Sequence, residues 1–311
     1  MKKPVIGITI GDYNGIGPEV VIKSLRKKEI LKKCYPIIIG DKEVINLLKI
    51  KADKKIEFYK SDNLVKIEPG KPTRFSGQAS LNYISTGIDL IKNKKIDCLV
   101  TAPISKNAIS LAGSKFKGHT DLLQKAFNRE LVVMSFFSKE LNVSLASIHI
   151  PLNKVSKSIN KNLIIQQILV VSNFLKVYLK KNKPRIGICG MNPHASEQGR
   201  IGDEDLKVII PAVKKLKKLN INIEGPFPSD TIFVKENRDR FDIIHSIYHD
   251  QGLIPFKMLA FDKGVNVTLN LPFIRTSPDH GTAYDIAWKN KADSRSMEEA
   301  ILLAAKMNRC L

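Results

Sequence analysis

Short apolar runs rich in β-branched residues alternate with amphipathic helical patterns along this 311-residue chain, and that alternation constrains its fold more than any other feature. The patterns predict strands over 5–10, 36–40, 56–59, 97–102, 185–189, 241–248 and 265–269. Two apolar runs, 131–137 and 142–148, lie almost back to back and predict a hairpin. Helices are predicted from Pro18 onward, over 76–94, 154–181, 203–218 and 251–260, and twice near the C-terminus. Strands separated by helices build a mostly parallel sheet, so the fold class is α/β, with some antiparallel strands from the hairpin. No fixed-period repeat and no flexible linker interrupts the pattern, so a division into two lobes must come from the chain crossing between them.

At 43% hydrophobic and 26% charged, the chain can bury a large core. The basic, then apolar start at Met1-Lys2-Lys3-Pro4-Val5-Ile6 is too short for a signal sequence and reads as a first buried strand. No apolar run approaches the ~20 residues that span a bilayer, so a cytoplasmic protein without a membrane partner is expected. Cys34, Cys98, Cys189 and Cys310 are far apart and suggest neither a disulfide framework nor a thiolate zinc site. The net charge of +21 admits nucleic-acid binding, but the lysines are spread over solvated helix faces such as 214–218. With only 7% aromatics and no basic–aromatic interleaving, no nucleic-acid partner is expected. The positive field would instead attract phosphorylated small molecules.

Five stretches carry candidate chemistry. Gly11-Asp-Tyr-Asn-Gly15-Ile-Gly17-Pro18-Glu19 follows a strand and opens a helix; it reads equally as a ligand loop or a tight structural turn. Thr101-Ala-Pro-Ile-Ser-Lys106 lies at a strand's carboxyl end, where α/β proteins place ligands, and Gly118-His119-Thr120-Asp121 follows at a helix start. His149, His194 and His249 each sit at or just past a strand end. A lone histidine is more often structural, but three at equivalent strand ends suit a first-row divalent ion, with Asp230 and Asp250 as carboxylates able to orient or join them. His245, inside a strand, reads as core. Near the C-terminus, Arg275 follows an apolar stretch and suits bidentate binding of phosphate or carboxylate. Lys257 and Asn266 lie upstream of it, Lys257 reading equally as a solvated helix residue. Asp279-His-Gly281-Thr-Ala-Tyr-Asp285 combines a free loop with a carboxylate able to accept ribose hydroxyls, or a helix start with ordinary caps.

In order, these stretches resemble the 4-hydroxythreonine-4-phosphate dehydrogenase family of vitamin B6 synthesis. The matching segments are Gly-Asp-x-x-Gly-Ile-Gly-Pro-Glu, Thr-Ala-Pro-Ile-Ser-Lys, Gly-His-Thr, Asn-Pro-His-Ala, Tyr-His-Asp-Gln-Gly, Leu-Pro-Phe-Ile-Arg-Thr-Ser and Asp-His-Gly-Thr-Ala. The resemblance implies an isocitrate/isopropylmalate dehydrogenase-like fold: two α/β lobes with mixed, mostly parallel sheets, a cleft between them, and a homodimer whose active sites use both subunits. Residues 1–130 plus 275–311 would form the cofactor-side lobe and 131–274 the metal, substrate and dimerisation lobe. The resemblance further implies NAD or NADP and one divalent ion (zinc, magnesium or cobalt) held by His149, His194 and His249. His119, Thr120, Lys257, Asn266 and Arg275 would bind substrate. Gly281, Thr282, Ala283 and Asp285 would hold the cofactor's adenosine end, and Asp230 would act as the base. The implied reaction oxidises 4-hydroxythreonine 4-phosphate to 2-amino-3-oxo-4-phosphooxybutanoate, which decarboxylates to 3-amino-2-oxopropyl phosphate. A threonate or erythronate 4-phosphate dehydrogenase is the nearest alternative; a phosphate acyltransferase or a basic RNA-binding protein is more distant. The chain departs from the family pattern at Tyr13-Asn14, where Pro-Ala is commoner. It departs again at Ser196-Glu197-Gln198-Gly199, where the family is richer in glycine, and at Trp288-Lys289-Asn290, where Gly-x-Gly is common.

Overall fold

The computed structural model describes residues 3–50, 56–59 and 66–310, which fall into two compact units. The first joins Met1–Glu130 to Asp262–Arg309, and the second is Leu131–Phe261. The described strands are β1 (Val5–Thr9), β2 (Tyr35–Ile39), β3 (Glu57–Tyr59), β4 (Cys98–Thr101), β5 (Val133–Phe137), β6 (Asn142–Leu145), β7 (Ile186–Cys189), β8 (Ile223–Phe227), β9 (Ile243–Ser246), β10 (Val265–Leu269) and β11 (Ile274–Pro278).

In the first unit the strand order is β3-β2-β1-β4-β11-β10. All pairs are parallel except β10 with β11. The chain winds from β1 out to β3, then returns to place β4 on the other side of β1, which makes β1/β4 a switch point of the kind that holds ligands. Ile6, Ile8, Leu99 and Val100 are fully buried, as expected of parallel strands covered on both faces. The helix Arg295–Asn308 packs on β4 and β11, burying Met297, Ala300, Ile301 and Ala304. The helix Arg74–Lys92 packs on β1 and starts with a capping box: Thr73 Oγ1 accepts from Ser76 N at 3.1 Å, and Ser76 Oγ accepts from Thr73 N at 3.3 Å.

In the second unit the order is β5-β6-β9-β7-β8, parallel throughout except for the β5–β6 hairpin. Its core gathers Phe136, Val143, Leu145, Ile244, Leu253 and Phe256. Four parallel strands, β6, β9, β7 and β8, therefore deliver their carboxyl-end loops to one edge.

Several elements differ from the expectation. The helix predicted over 154–181 is two, Leu152–Ser158 and Lys161–Leu179. Ile159 is extended between them, and the Asn160 side chain caps the second helix by accepting from Leu163 N at 2.9 Å. Lys161–Leu179 is long and apolar enough to cross a membrane by length and composition, which the sequence reading did not anticipate. Its stripe Ile164, Ile168, Val171 and Leu175 is fully buried, at the spacing of a core helix face. Residues 203–218 begin with a π-turn, Asp205–Ile209, before the helix Ile210–Lys218. β8 was not predicted, because Gly225-Pro226 reads as a turn; nor was β11, whose Arg-Thr-Ser centre is polar yet buried. Because β11 pairs antiparallel with β10, β10 belongs to the first unit, and the division falls after Phe261 where the sequence reading had it after 274. Only one of the two expected C-terminal helices is present among the described residues; 284–290 form turns.

Candidate active site

The strand order of the second unit decides which expected ligands meet. His149 follows β6 and His249 follows β9, its immediate neighbour, and their ring centroids are 5.7 Å apart. Two imidazoles bound tetrahedrally to one ion at about 2.0–2.1 Å place their centroids about 5 Å apart, so this pair fits a shared divalent ion. His194 follows β7, which lies beyond β9, and strands two positions apart are separated by about 10 Å. Accordingly, no group of three His, Cys, Asp or Glu able to hold a metal occurs among the described residues. Asp230 is exposed at the start of the short helix Ser229–Ile232 after β8, on the same edge. His249 Nδ1 lies 2.7 Å from Asp250 Oδ1, the kind of carboxylate contact that fixes an imidazole's tautomer.

The segment carrying His194 has an unusual backbone. Five consecutive non-glycine residues, His194 to Gln198, have positive φ, between 41° and 66°. Each left-handed residue costs about 1–2 kcal/mol, so other contacts must hold the turn. Buried Asp205 does much of this: it accepts from Met191 N at 2.7 Å, Asn192 N at 3.1 Å and Ser196 Oγ at 2.7 Å. Gly190 is required beneath the turn, since a Cβ there would sit 2.8 Å from Ala195 Cα. The result is an exposed His194 on a turn fixed from below. Nothing in the local spacing of Asp205 marked it out as this support.

In the first unit, Arg275 lies on β11 with 3% exposure. Its Nη1 donates to Asn266 Oδ1 at 3.2 Å and Thr268 Oγ1 at 3.0 Å, and its Nη2 donates to Thr101 Oγ1 at 2.6 Å. These acceptors are all neutral, and Nε is buried without a partner. Burial lowers the guanidinium pKa to about 10. His119 begins the helix His119–Ala126; burial first, and the charge of Arg275 second, hold its pKa well below 6.5, so it is neutral. Its Nε2 is also buried without a partner. A buried cation beside a neutral imidazole, each with an unfilled nitrogen, suits an anionic ligand that also offers hydrogen-bonding groups. Thr120 follows His119 and is half-buried. Lys257 lies in the second unit, on the helix His249–Ala260, with Nζ 5.4 Å from the Phe261 ring centroid.

The first glycine-rich stretch is structural. Asp12, Tyr13 and Asn14 are fully buried, and they hold the segment after β11. Tyr284 Oη donates to Asp12 Oδ2 at 2.7 Å, Trp288 Nε1 donates to Tyr13 O at 2.8 Å, and Ile16 N donates to Thr282 O at 2.9 Å. Burial raises the Asp12 pKa against the lowering effect of the Tyr284, Asn14 and Ser76 hydrogen bonds. Gly15 permits this closeness, since a Cβ there would meet Thr282 O at 2.8 Å. The loop so held leaves Gly281 and Asp285 exposed, and the space around Gly281 is open. A dinucleotide can therefore reach its backbone and the Asp285 carboxylate.

Comparison with known proteins agrees with this architecture. The family model described as "Pyridoxal phosphate biosynthetic protein PdxA" matches residues 26–304. A 4-hydroxythreonine-4-phosphate dehydrogenase of Desulforapulum autotrophicum is 42% identical, over 98% of this chain and 95% of its own. A D-threonate 4-phosphate dehydrogenase of Cupriavidus necator is 39% identical, over 98% and 97% respectively. The crystal structure of 4-hydroxythreonine-4-phosphate dehydrogenase from Klebsiella pneumoniae superposes with a TM-score of 0.88 at 33% identity, covering 98% of each chain. The fold is that of an α/β dehydrogenase. The chain belongs to the pyridoxal phosphate biosynthetic protein PdxA family.

Proposed function

We propose that the chain oxidises 4-hydroxythreonine 4-phosphate with NAD or NADP in the presence of one divalent ion. The observation that carries this reading is the His149–His249 pair, set at the carboxyl edge of a parallel sheet in a member of this family. A divalent ion bound there would act as Lewis acid towards the substrate's C3 hydroxyl and the ketone that replaces it. A nicotinamide cofactor held beside it would supply the hydride acceptor.

The chain's own groups do the rest. Arg275, with Asn266 oriented by it, binds an anionic end of the substrate, and neutral His119, with Thr120, exchanges hydrogen bonds with it without adding charge. Lys257 supplies a second, mobile cation. Asp230 takes the hydroxyl proton while the C3–H bond yields its electron pair as hydride. In the resulting β-keto acid, the C1–C2 bond breaks, carbon dioxide leaves, and its electron pair passes into the C3 carbonyl to give an enol. The enol takes a proton from water on C2, which restores the ketone as 3-amino-2-oxopropyl phosphate. Gly281, Thr282, Ala283 and Asp285 hold the adenosine end of the cofactor.

A homodimer completes the centre. One copy brings two imidazoles together and leaves His194 apart, so the remaining ligand comes from a second copy. An apolar stripe on the helix that begins with His249 supports this: Ile254 is 58% and Met258 82% exposed, followed by Phe261 at 76%. A cytoplasmic setting suits the free cysteines and the cofactor.

The test is reduced-nicotinamide absorbance with chelator-stripped protein, before and after divalent metal is restored, using 4-hydroxythreonine 4-phosphate and threonate 4-phosphate side by side. Metal-dependent reduction with the amino substrate supports the proposal. Turnover of threonate 4-phosphate alone moves the chain to the second reading, which the relative from Cupriavidus necator favours. No reduction with either, from folded and metal-loaded protein, refutes both.

A further inference from the structure

Within the motif Tyr248-His249-Asp250-Gln251-Gly252, the side chain that reaches furthest into the neighbouring loops is that of Gln251. Gln251 is 7% exposed, and its amide is fully engaged. Its Oε1 accepts from Ile247 N at 2.6 Å. Its Nε2 donates to Gly190 O at 2.7 Å and to Ser229 Oγ at 2.7 Å. The orientation of the amide follows from its partners, because a backbone N–H can only donate and a carbonyl can only accept.

These three partners belong to three different loops. Ile247 directly follows β9 and leads to His249; Gly190 directly follows β7 and leads to His194; Ser229 follows β8 and precedes Asp230. β9, β7 and β8 are adjacent and parallel, so their loops emerge side by side, and Gly190 N donates to Phe227 O at 2.7 Å where β7 and β8 end. One buried side chain bridges all three at that level.

We propose that Gln251 is a positioning residue that registers the loops carrying His194, Asp230 and His249, acting through them and not by touching substrate. The proposal rests on the reading of this edge as the metal and substrate edge. Its energetic basis is that all three bonds are short, the two to the main chain are buried and the one to Ser229 is part-buried, so their loss leaves backbone groups unsatisfied where no water replaces them cheaply.

The test compares full-length wild type with Gln251→Met, Gln251→Glu, Ser229→Ala and His249→Ala. Gln251→Glu keeps the acceptor for Ile247 N but turns an oxygen towards Gly190 O; Ser229→Ala removes a single bond and stands in if the Gln251 variants do not fold. Two readouts are taken on chelator-stripped protein: peptide-resolved amide hydrogen exchange, and Co2+ affinity from visible absorption. The expected result for Gln251→Met is faster exchange across 190–199, 228–232 and 247–250 together, with β1 and β4 unchanged, and Co2+ binding weakened about tenfold or more. Ser229→Ala shows a smaller loss of affinity and faster exchange at 228–232 and 247–250. A merely structural role would lower the melting temperature and leave the Co2+ affinity of the folded protein at the wild-type value; that result overturns the proposal. So does faster exchange confined to 247–250, or no change in Ser229→Ala. Wild-type Co2+ affinity in His249→Ala sinks the metal reading instead, and the exchange pattern then decides the role of Gln251 by itself.

Discussion

Replacing Arg275 with methionine separates the cost of holding a cation inside the first unit from the use made of it. The side chain is 3% exposed, and burial lowers its pKa from 12.5 to about 10. At about 1.4 kcal/mol per tenfold change in proton affinity, keeping it charged costs the native state roughly 3 kcal/mol. For a cation with a depressed folded pKa, that cost is in full force below pH 10 and is relieved only as pH rises from about 10 towards 12.5. Against it stand three hydrogen bonds to Asn266, Thr268 and Thr101, each worth about 1.5–3 kcal/mol from a charged donor. Methionine loses both, and the threonine hydroxyls can turn to other partners. At the low end of that range, about 4.5 against 3 kcal/mol, because the freed hydroxyls find other partners, the ligand-free variant should lie within about 2 kcal/mol of wild type, by a difference that is flat below about pH 9. Phosphate should tell them apart. At a hundred times its Kd, a ligand stabilises by about 2.7 kcal/mol, or about 4 °C for a chain of this size. Thermal unfolding across a titration of inorganic phosphate should show that rise in wild type and none in Arg275→Met. A variant destabilised by more than about 4 kcal/mol without phosphate, or one that phosphate protects equally, refutes the reasoning.

Three further outcomes are expected. His245, fully buried with Nδ1 2.9 Å from Ser144 Oγ, has its pKa lowered by burial from 6.5 to about 3. The unfolded chain then binds the extra proton, so stability present above pH 6.5 is lost as pH falls towards 3, by up to about 1.4 kcal/mol per pH unit. Urea unfolding at several pH values should show a shallower loss in His245→Asn, the remainder coming from His119, which shifts the same way, and at the acid end from carboxylates held low, such as Asp242. Gln198→Gly, at an exposed position with φ of 59°, should raise the urea midpoint, a gain of about 1 kcal/mol; an unchanged or lower midpoint contradicts the left-handed turn. Tyr284→Phe removes the donor to Asp12 and should raise the KM for the dinucleotide about tenfold with kcat nearly unchanged. Equal loss in kcat would place Tyr284 in the chemistry instead.

The fold was legible where burial is two-sided and the strand is apolar throughout, as in β1 and β4, where residue type alone reports the environment. It was not legible in β11, whose buried centre is the polar Arg275-Thr276-Ser277, because Arg275 and Thr276 satisfy partners outside the strand: Thr101, Asn266, Thr268 and the Ala300 carbonyl. Likewise, the break at Ile159-Asn160 depends on one cap, and an unbroken apolar period hides it. Of the candidate site, the histidines at strand ends were readable from local sequence. Which two of them meet was not, since that follows from β9 inserting between β6 and β7, a matter of topology.

The departures from the family pattern become intelligible on the same physical grounds. Tyr13 and Asn14 are buried: the Tyr13 carbonyl accepts from Trp288, and the Asn14 side chain bonds Glu68 N, Lys71 O and Thr73 Oγ1, so they bear on the cofactor only through the loop they hold. Ser196, Gln198, Trp288 and Asn290 all have φ between 56° and 66°, the region that glycine occupies at least cost. At three of the four, a side-chain or main-chain bond offsets the strain: Ser196 to Asp205, Trp288 to Tyr13, and the Asn290 carbonyl to Lys23. Where glycine is replaced, the backbone shape is thus kept by added contacts. It follows that both segments, one presenting His194 and one bordering the proposed cofactor loop, need their shape more than their flexibility, and the exposed Gln198 is where that balance is most easily improved.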